Sequence, residues 1–139
     1  MIGRTDWFDL LVANLADAMS FYEGLLGWKY RQMDDSPLSD YVMIDVAGKL
    51  IGGLRRIPHH HGSGGPAKDS VAGKKSQPPT DYSGPILYFT VDKLGPKVAR
   101  AKELGAQIVG ETVNLGKDRG CYQWIRDREG NLIALWAPQ

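Results

Sequence analysis

The chain has 139 residues, 42% hydrophobic and 24% charged, with a formal net charge of +1, which suits one ordinary globular domain and not two independent ones. That balance gives no broad field to attract nucleic acid or an anionic membrane, so neither is expected as a partner. One cysteine, Cys121, allows no internal disulfide, no Cys/His set has zinc spacing, and neither a leader-like N-terminus nor a bilayer-length apolar run is present, so a cytoplasmic location is expected.

Asp6 to Trp28 reads as a strand feeding a helix. Phe8, Leu10 and Val12 fall on one parity and Trp7, Asp9 and Leu11 on the other, the period-2 pattern of a strand with two unlike faces. Leu15, Ala18, Met19, Tyr22, Leu25 and Leu26 then recur at helical spacing, and Gly27 is placed to end that helix. Trp28 to Met33 reads as a second strand, with a turn from Asp34 to Pro37. Tyr41 to Val46 alternates as a third strand, and a turn at Gly48 leads to a fourth, Leu50 to Ile57. The paired Gly52 and Gly53 inside it point to a bulge or to a close approach to the backbone.

From Pro58 to Gly84 the composition shifts to His, Gly, Ser, Lys and Pro, which supplies little core and reads as a flexible connector. The pattern then returns. A strand over Ile86 to Val91 precedes a helix over Leu94 to Leu104 closed by Gly105. Strands follow at Gln107 to Val113, Tyr122 to Arg126 and Leu132 to Trp136, with a turn over Asp127 to Asn131. Val12, Leu15 and Leu25 recur as Val91, Leu94 and Leu104 at one constant offset, and Gly27 and Gly105 stand one residue out of step. The chain is therefore expected to hold two copies of one unit, each strand, helix, strand, strand, strand: residues 1–57 and 85–139, joined by 58–84.

Within that order, Phe21-Tyr22 followed by Leu25-Leu26-Gly27-Trp28, the Gly52-Gly53 pair, Tyr88 to Asp92, and Asp127, Gly130, Asn131, Leu135 and Trp136 together resemble the vicinal oxygen chelate superfamily of glyoxalase I, bleomycin-resistance proteins and ring-cleaving dioxygenases. The resemblance implies an α+β fold: two βαβββ modules forming a curled mixed sheet around a central cavity, with the helices outside, and it implies a dimer. In metal-dependent members, His, Gln or Glu ligands stand on particular strands. The matching positions here are Trp7, Ile86, Gly52 or Gly53, and Ala134, none of which offers a side-chain lone pair to a cation. No metal and no cofactor are therefore expected, and glyoxalase I or extradiol chemistry, which needs the ion, is disfavoured.

Strand parity supplies a reading independent of kinship. With Phe8, Leu10, Val12, Val42, Ile44, Leu87, Phe89 and Val91 beneath the helices, the opposite parity holds Trp7, Asp9, Tyr41, Met43, Asp45, Ile86, Tyr88, Leu132, Ala134 and Trp136. Tyr122, Trp124 and Arg126 join them if Gln123 alternates with Cys121 and Ile125 as the sequence suggests. Aromatic walls with few polar groups suit a flat organic ligand. The expected ligand-binding set is Trp7, Asp9, Tyr41, Met43, Gly53, Arg55, Ile86, Tyr88, Tyr122, Trp124, Ala134 and Trp136. Asp9 and Asp45 can orient a donor or cation, and Arg55 or Arg126 an anion. The bland alternative is that these faces are plain core; Asp9 and Asp45 weigh against it, being costly if buried unpaired.

Other signals carry less. His59, His60 and His61 are adjacent in a Gly-rich stretch and present no convergent ligand set. Gly62 to Gly65 and Gly73-Lys74 lack the Walker spacing. Cys121 has no histidine near it, and Lys93, Lys97, Arg100 and Lys102 read as a solvated helix face. The leading expectation is a metal-free protein of the glyoxalase/bleomycin-resistance type that binds a small aromatic or antibiotic-like molecule. The alternative is a lyase or isomerase on the same scaffold using Asp9, Asp45 or Tyr88 as acid or base. A third reading is a partner-binding module whose cavity is filled.

Overall fold

Asn14 and Gly27 delimit the first helix as their chemistry requires. The Asn14 side chain accepts from the Asp17 N–H at 2.9 Å, and Gly27 takes φ 71 while its N–H donates to the Glu23 carbonyl. The computed structural model describes residues 3–32, 40–58, 78–79 and 81–138. Within these, the element order is β1 (Asp9–Val12), α1 (Leu15–Leu26), β2 (Lys29–Arg31), β3 (Tyr41–Val46), β4 (Lys49–Arg56), β5 (Leu87–Thr90), α2 (Leu94–Glu103), β6 (Gln107–Asn114), β7 (Cys121–Arg126) and β8 (Leu132–Ala137). The histidine triplet, the two Gly-rich signals and the turn read over Asp34 to Pro37 lie outside the described residues. No helix among the described residues is long and apolar enough to cross a membrane.

The chain divides into two compact units, Met1–His60 and His61–Gln139. Each holds one four-stranded mixed sheet, ordered β1-β4-β3-β2 in the first and β5-β8-β7-β6 in the second. In each, the first strand runs parallel to the last and the other pairs are antiparallel, so the class is α+β and each unit is a βαβββ module. The strands begin and end within a few residues of where periodicity places them. Trp7 and Ile86 precede β1 and β5 and do not lie inside them.

In unit 1 the even parity forms the core on the helix side. Leu10, Val12, Ile44 and Leu54 are buried with Phe21, Tyr22 and Leu25 of α1, which packs along β4. Trp28 stacks on Tyr22 at 4.6 Å between ring centroids. Gly52 is required there: a Cβ on it would stand 2.5 Å from the Phe8 carbonyl oxygen. The register slips next to it, between Ile44 and Asp45, leaving Ile51 as the extra residue. A bulge and a close approach thus both occur at the glycine pair.

In unit 2, Leu94 and Ala101 of α2 are buried, with Ile125, Ile133 and Leu135. β6 is irregular between Val109 and Val113, opposite β7. The buried Gln123 side chain fills that gap: Nε2 donates to the carbonyls of Val109, Gly110 and Trp124, and Oε1 accepts from Thr112 Oγ1 at 2.9 Å. This resolves the register of β7. Gln123 belongs with Cys121 and Ile125, and Tyr122 and Trp124 take the face without a helix.

Candidate functional site

The face of unit 1 not covered by α1 is set by the pairings Asp9 with Gly53, Met43 with Gly53, and Tyr41 with Arg55. The Tyr41 hydroxyl lies there between Trp7 and Asp9, and Arg55 meets both Asp9 and the Tyr41 ring. Trp7 Nε1 donates to Tyr41 Oη at 3.0 Å, and Tyr41 Oη donates to Asp9 Oδ1 at 2.9 Å. Arg55 Nε donates to Asp9 Oδ2 at 3.0 Å, and the guanidinium carbon lies 4.5 Å from the centre of the Tyr41 ring. Gly53 admits this arrangement, because a Cβ built on it would fall on the Tyr41 hydroxyl. Burial, followed by the hydrogen bond to Asp9 and its charge, holds the Tyr41 phenol above its ordinary value against the lowering by Trp7 and Arg55. Tyr41 is buried while Trp7 is 42% exposed.

Asp45, expected on the same face, is taken up by the hairpin. It accepts from Arg31 Nε at 2.7 Å and from the Gly48 N–H at 2.7 Å, next to a turn in which Ala47 and Gly48 have φ 52 and φ 85. Asp9 and Asp45 each serve a different partner set, and the structure does not pair them as acid and base.

The corresponding face of unit 2 is aromatic. Val109, Val113, Tyr122, Trp124, Leu132 and Ala134 form a buried cluster, with Tyr82, Ile86 and Trp136 packed against it. Tyr88 pairs with Ala134 across the strands and is 48% exposed, yet its position is fixed. Trp124 Nε1 donates to its hydroxyl at 3.1 Å, and its ring meets Tyr122 edge-on at 5.4 Å. Trp136 Nε1 donates to the Arg119 carbonyl at 3.0 Å. A Cβ on Gly120 would collide with the Ala137 carbonyl and the Trp136 indole, so glycine there lets the indole lie down.

Arg126 is 1% exposed, with Nη1 on the Gly130 carbonyl and Nη2 on Asp81 Oδ1 at 2.8 Å, a structural ion pair that leaves it no anion to orient. Two contributors escaped sequence reading because they lie at the end of the stretch read as connector. Asp81 binds Arg126, and Tyr82 packs on the aromatic cluster while its hydroxyl donates to the Pro85 carbonyl. The signal was present: Tyr82 is a large aromatic in a segment otherwise poor in them.

Burial is the leading cause that raises Tyr30, Tyr41, Tyr82 and Tyr122, so each phenol is a hydrogen-bonding group and not a phenolate. The resemblance sets Trp7, Ile86, Gly52 or Gly53, and Ala134 where metal-dependent members hold a cation. Trp7 and Ile86 carry no lone-pair donor for it, Ala134 is fully buried, and the space above Gly53 is filled by Tyr41. Among the described residues no group of three or more His, Cys, Asp or Glu is placed to hold a metal ion.

Comparison with known proteins agrees with this architecture. The model of the Glyoxalase/Bleomycin resistance protein/Dioxygenase superfamily matches residues 4–135. The anthracycline biosynthesis protein DnrV of Streptomyces peucetius is 26% identical over 139 residues, covering 96% of this chain and 46% of that protein. The chain thus spans about half the length of the curated relative. TnmS3, an antibiotic binding protein from Streptomyces sp. CB03234, superposes with a TM-score of 0.61 at 19% identity, over 99% of this chain and 98% of that one. The fosfomycin resistance protein FosX from Listeria monocytogenes superposes with a TM-score of 0.66 at 14% identity, over 100% and 96%. At those identities the two structures speak for a shared fold alone.

Proposed function

The chain belongs to the Glyoxalase/Bleomycin resistance protein/Dioxygenase superfamily, and on that premise we propose that it binds a flat aromatic, antibiotic-like small molecule without using a metal ion at the family positions. The observation that carries this reading is Tyr88. A half-exposed aromatic ring is held rigid by a hydrogen bond from Trp124 and by the edge of Tyr122. A surface tyrosine with no ligand to meet has no need of such support, whereas a stacking platform gains affinity from being ordered in advance. The anthracycline-biosynthesis relative favours the same ligand class and supplies the probe.

The acid/base alternative is weaker. Asp9 already accepts from Tyr41 and Arg55, and Asp45 from Arg31 and the turn, so neither carboxylate offers an uncommitted oxygen pair to a substrate proton. Thermal denaturation with and without an anthracycline tests the proposal. Saturating ligand at a hundred times Kd adds about 2.7 kcal/mol, on the order of several degrees in Tm. Tyr88→Ala is expected to weaken binding about tenfold by removing the stacking surface. An unchanged Tm across a panel of planar aromatics would reject the reading.

A further inference from the structure

Among the arginines in the described residues, Arg55 alone combines three properties. Its guanidinium lies on a helix-free sheet face, it is fixed on one side, and only Nε is engaged in a hydrogen bond to a described residue. Arg126 is buried with both Nη groups used, and Arg31 gives Nε and Nη2 to Asp45. Arg56, on the opposite parity, gives Nε to Asp40. Asp9 grips Arg55 from the Nε side, and the Tyr41 ring supports its plane at 4.5 Å. Tyr41 is itself pinned by Trp7 and Asp9 and seated on Gly53. The side chain remains 44% exposed, and the Trp7 indole, anchored to the same hydroxyl, is 42% exposed.

We infer that the Nη edge of Arg55 is a subsite in unit 1 for the carboxylate of an aromatic ligand. This rests on the reading that the chain binds flat aromatic molecules and adds to the Tyr88 platform of unit 2 a subsite within unit 1 for acidic ones. A guanidinium offers parallel N–H groups in a fixed fork that matches the two oxygens of a carboxylate, and it gains most when its rotamer is already set. Asp9 does not cancel the attraction. It occupies the Nε side, so a carboxylate at the Nη edge stands farther from Asp9 than from the guanidinium, and Coulomb energy falls inversely with distance. The Trp7 indole, exposed and tied to the same Tyr41 hydroxyl, offers a face for the ligand ring.

The test compares the full chain's affinity for anthraquinone-2-carboxylate and for the neutral anthraquinone-2-carboxamide, by calorimetry at pH 7 in low salt and in 0.5 M NaCl. The acid is expected to bind about tenfold more tightly than the amide, as suits a hydrogen bond to a charged group. The margin should shrink in high salt. Arg55→Gln should bring the acid-to-amide ratio close to one, and Arg55→Lys, which keeps the charge and loses the fork, should fall between. Arg31→Gln, which removes the same charge at the Asp45 pair, should keep the wild-type ratio. Equal binding of acid and amide by the wild type would overturn the subsite and leave the aromatic reading standing. A preference that survives in Arg55→Gln would seat the charge elsewhere and also overturn it. Binding of neither compound would remove the subsite together with the reading it rests on.

Discussion

Across the pairs that carry the helix-free face, the two units share one register and put it to opposite use. Asp9 faces Gly53 in unit 1 as Tyr88 faces Ala134 in unit 2. Tyr41 faces Arg55 as Tyr122 faces Trp136, and Met43 faces Gly53 as Trp124 faces Ala134. On the helix side the copies stay alike, with Leu10 beside Leu54 and Phe89 beside Leu135. On the other face they part. Unit 1 builds a chain of hydrogen bonds and an ion pair around Tyr41, and unit 2 builds an aromatic cluster of edge-on and tilted rings around Tyr122. Packing against a helix constrains a position through volume and apolarity, so duplicated core positions remain interchangeable. The face without a helix is packed by different side chains in the two units, buried apolar and aromatic ones in unit 2 and a polar network in unit 1.

Core truncations should expose the shared half of that comparison. Leu54→Ala and Leu135→Ala each remove a fully buried side chain, and each should cost about 2–5 kcal/mol in urea denaturation. If one were harmless while the other unfolded its unit, the two cores would not be equivalent.

The divergent half is tested by the matched tyrosines. Tyr41→Phe leaves Trp7 Nε1 and one Asp9 oxygen without their partner, at a cost of about 1–2 kcal/mol. Tyr122 is held by ring contacts to Tyr88 and Trp124, so Tyr122→Phe should change stability by less than about 0.5 kcal/mol. Similar losses at the two sites would break the contrast. Alkaline pH probes the same residues. Both phenols sit above their ordinary value of 10.0, chiefly through burial, so the fold favours their neutral forms. Their contribution is complete below pH 10.0 and is lost as pH rises through the higher folded values. Denaturation midpoints should therefore decline above that pH, and less steeply in Tyr41→Phe.

The smallest expected effect is at the β3–β4 turn. Ala47 holds φ 52, a left-handed conformation that favours Asn or Gly. Ala47→Asn should stabilise by roughly 0.5–1 kcal/mol, read as a rise in the urea midpoint. No comparable gain is expected in the β7–β8 connection, where Asp127 Oδ1 already accepts from the N–H groups of Glu129 and Asn131.

Much of the fold was legible because it follows from local period and punctuation. Alternation around Leu10 and Phe89, helical spacing from Leu15 and Leu94, and Gly27 and Gly105 beyond the two helices place strands and helices within a few residues. The faces were legible too, since parity alone separates Trp7, Asp9 and Tyr88 from Leu10 and Phe89. Partnerships were not. That Asp9 meets Arg55 while Asp45 meets Arg31 depends on cross-strand register and on the bulge at Ile51, neither of which periodicity encodes. The roles of Gln123 and Gly120 are likewise tertiary, one filling an irregular strand and the other clearing room for Trp136. Asp81 and Tyr82 were hidden by composition, because a short docked segment at the end of a polar stretch looks like the stretch itself.

The most direct test of the central claim is a tryptophan-fluorescence titration with an anthracycline in the presence of EDTA, on the wild type and on Tyr88→Ala. The account predicts saturable binding that the chelator leaves unchanged and that Tyr88→Ala weakens about tenfold. Binding that requires a divalent cation, or that is indifferent to Tyr88, would contradict it.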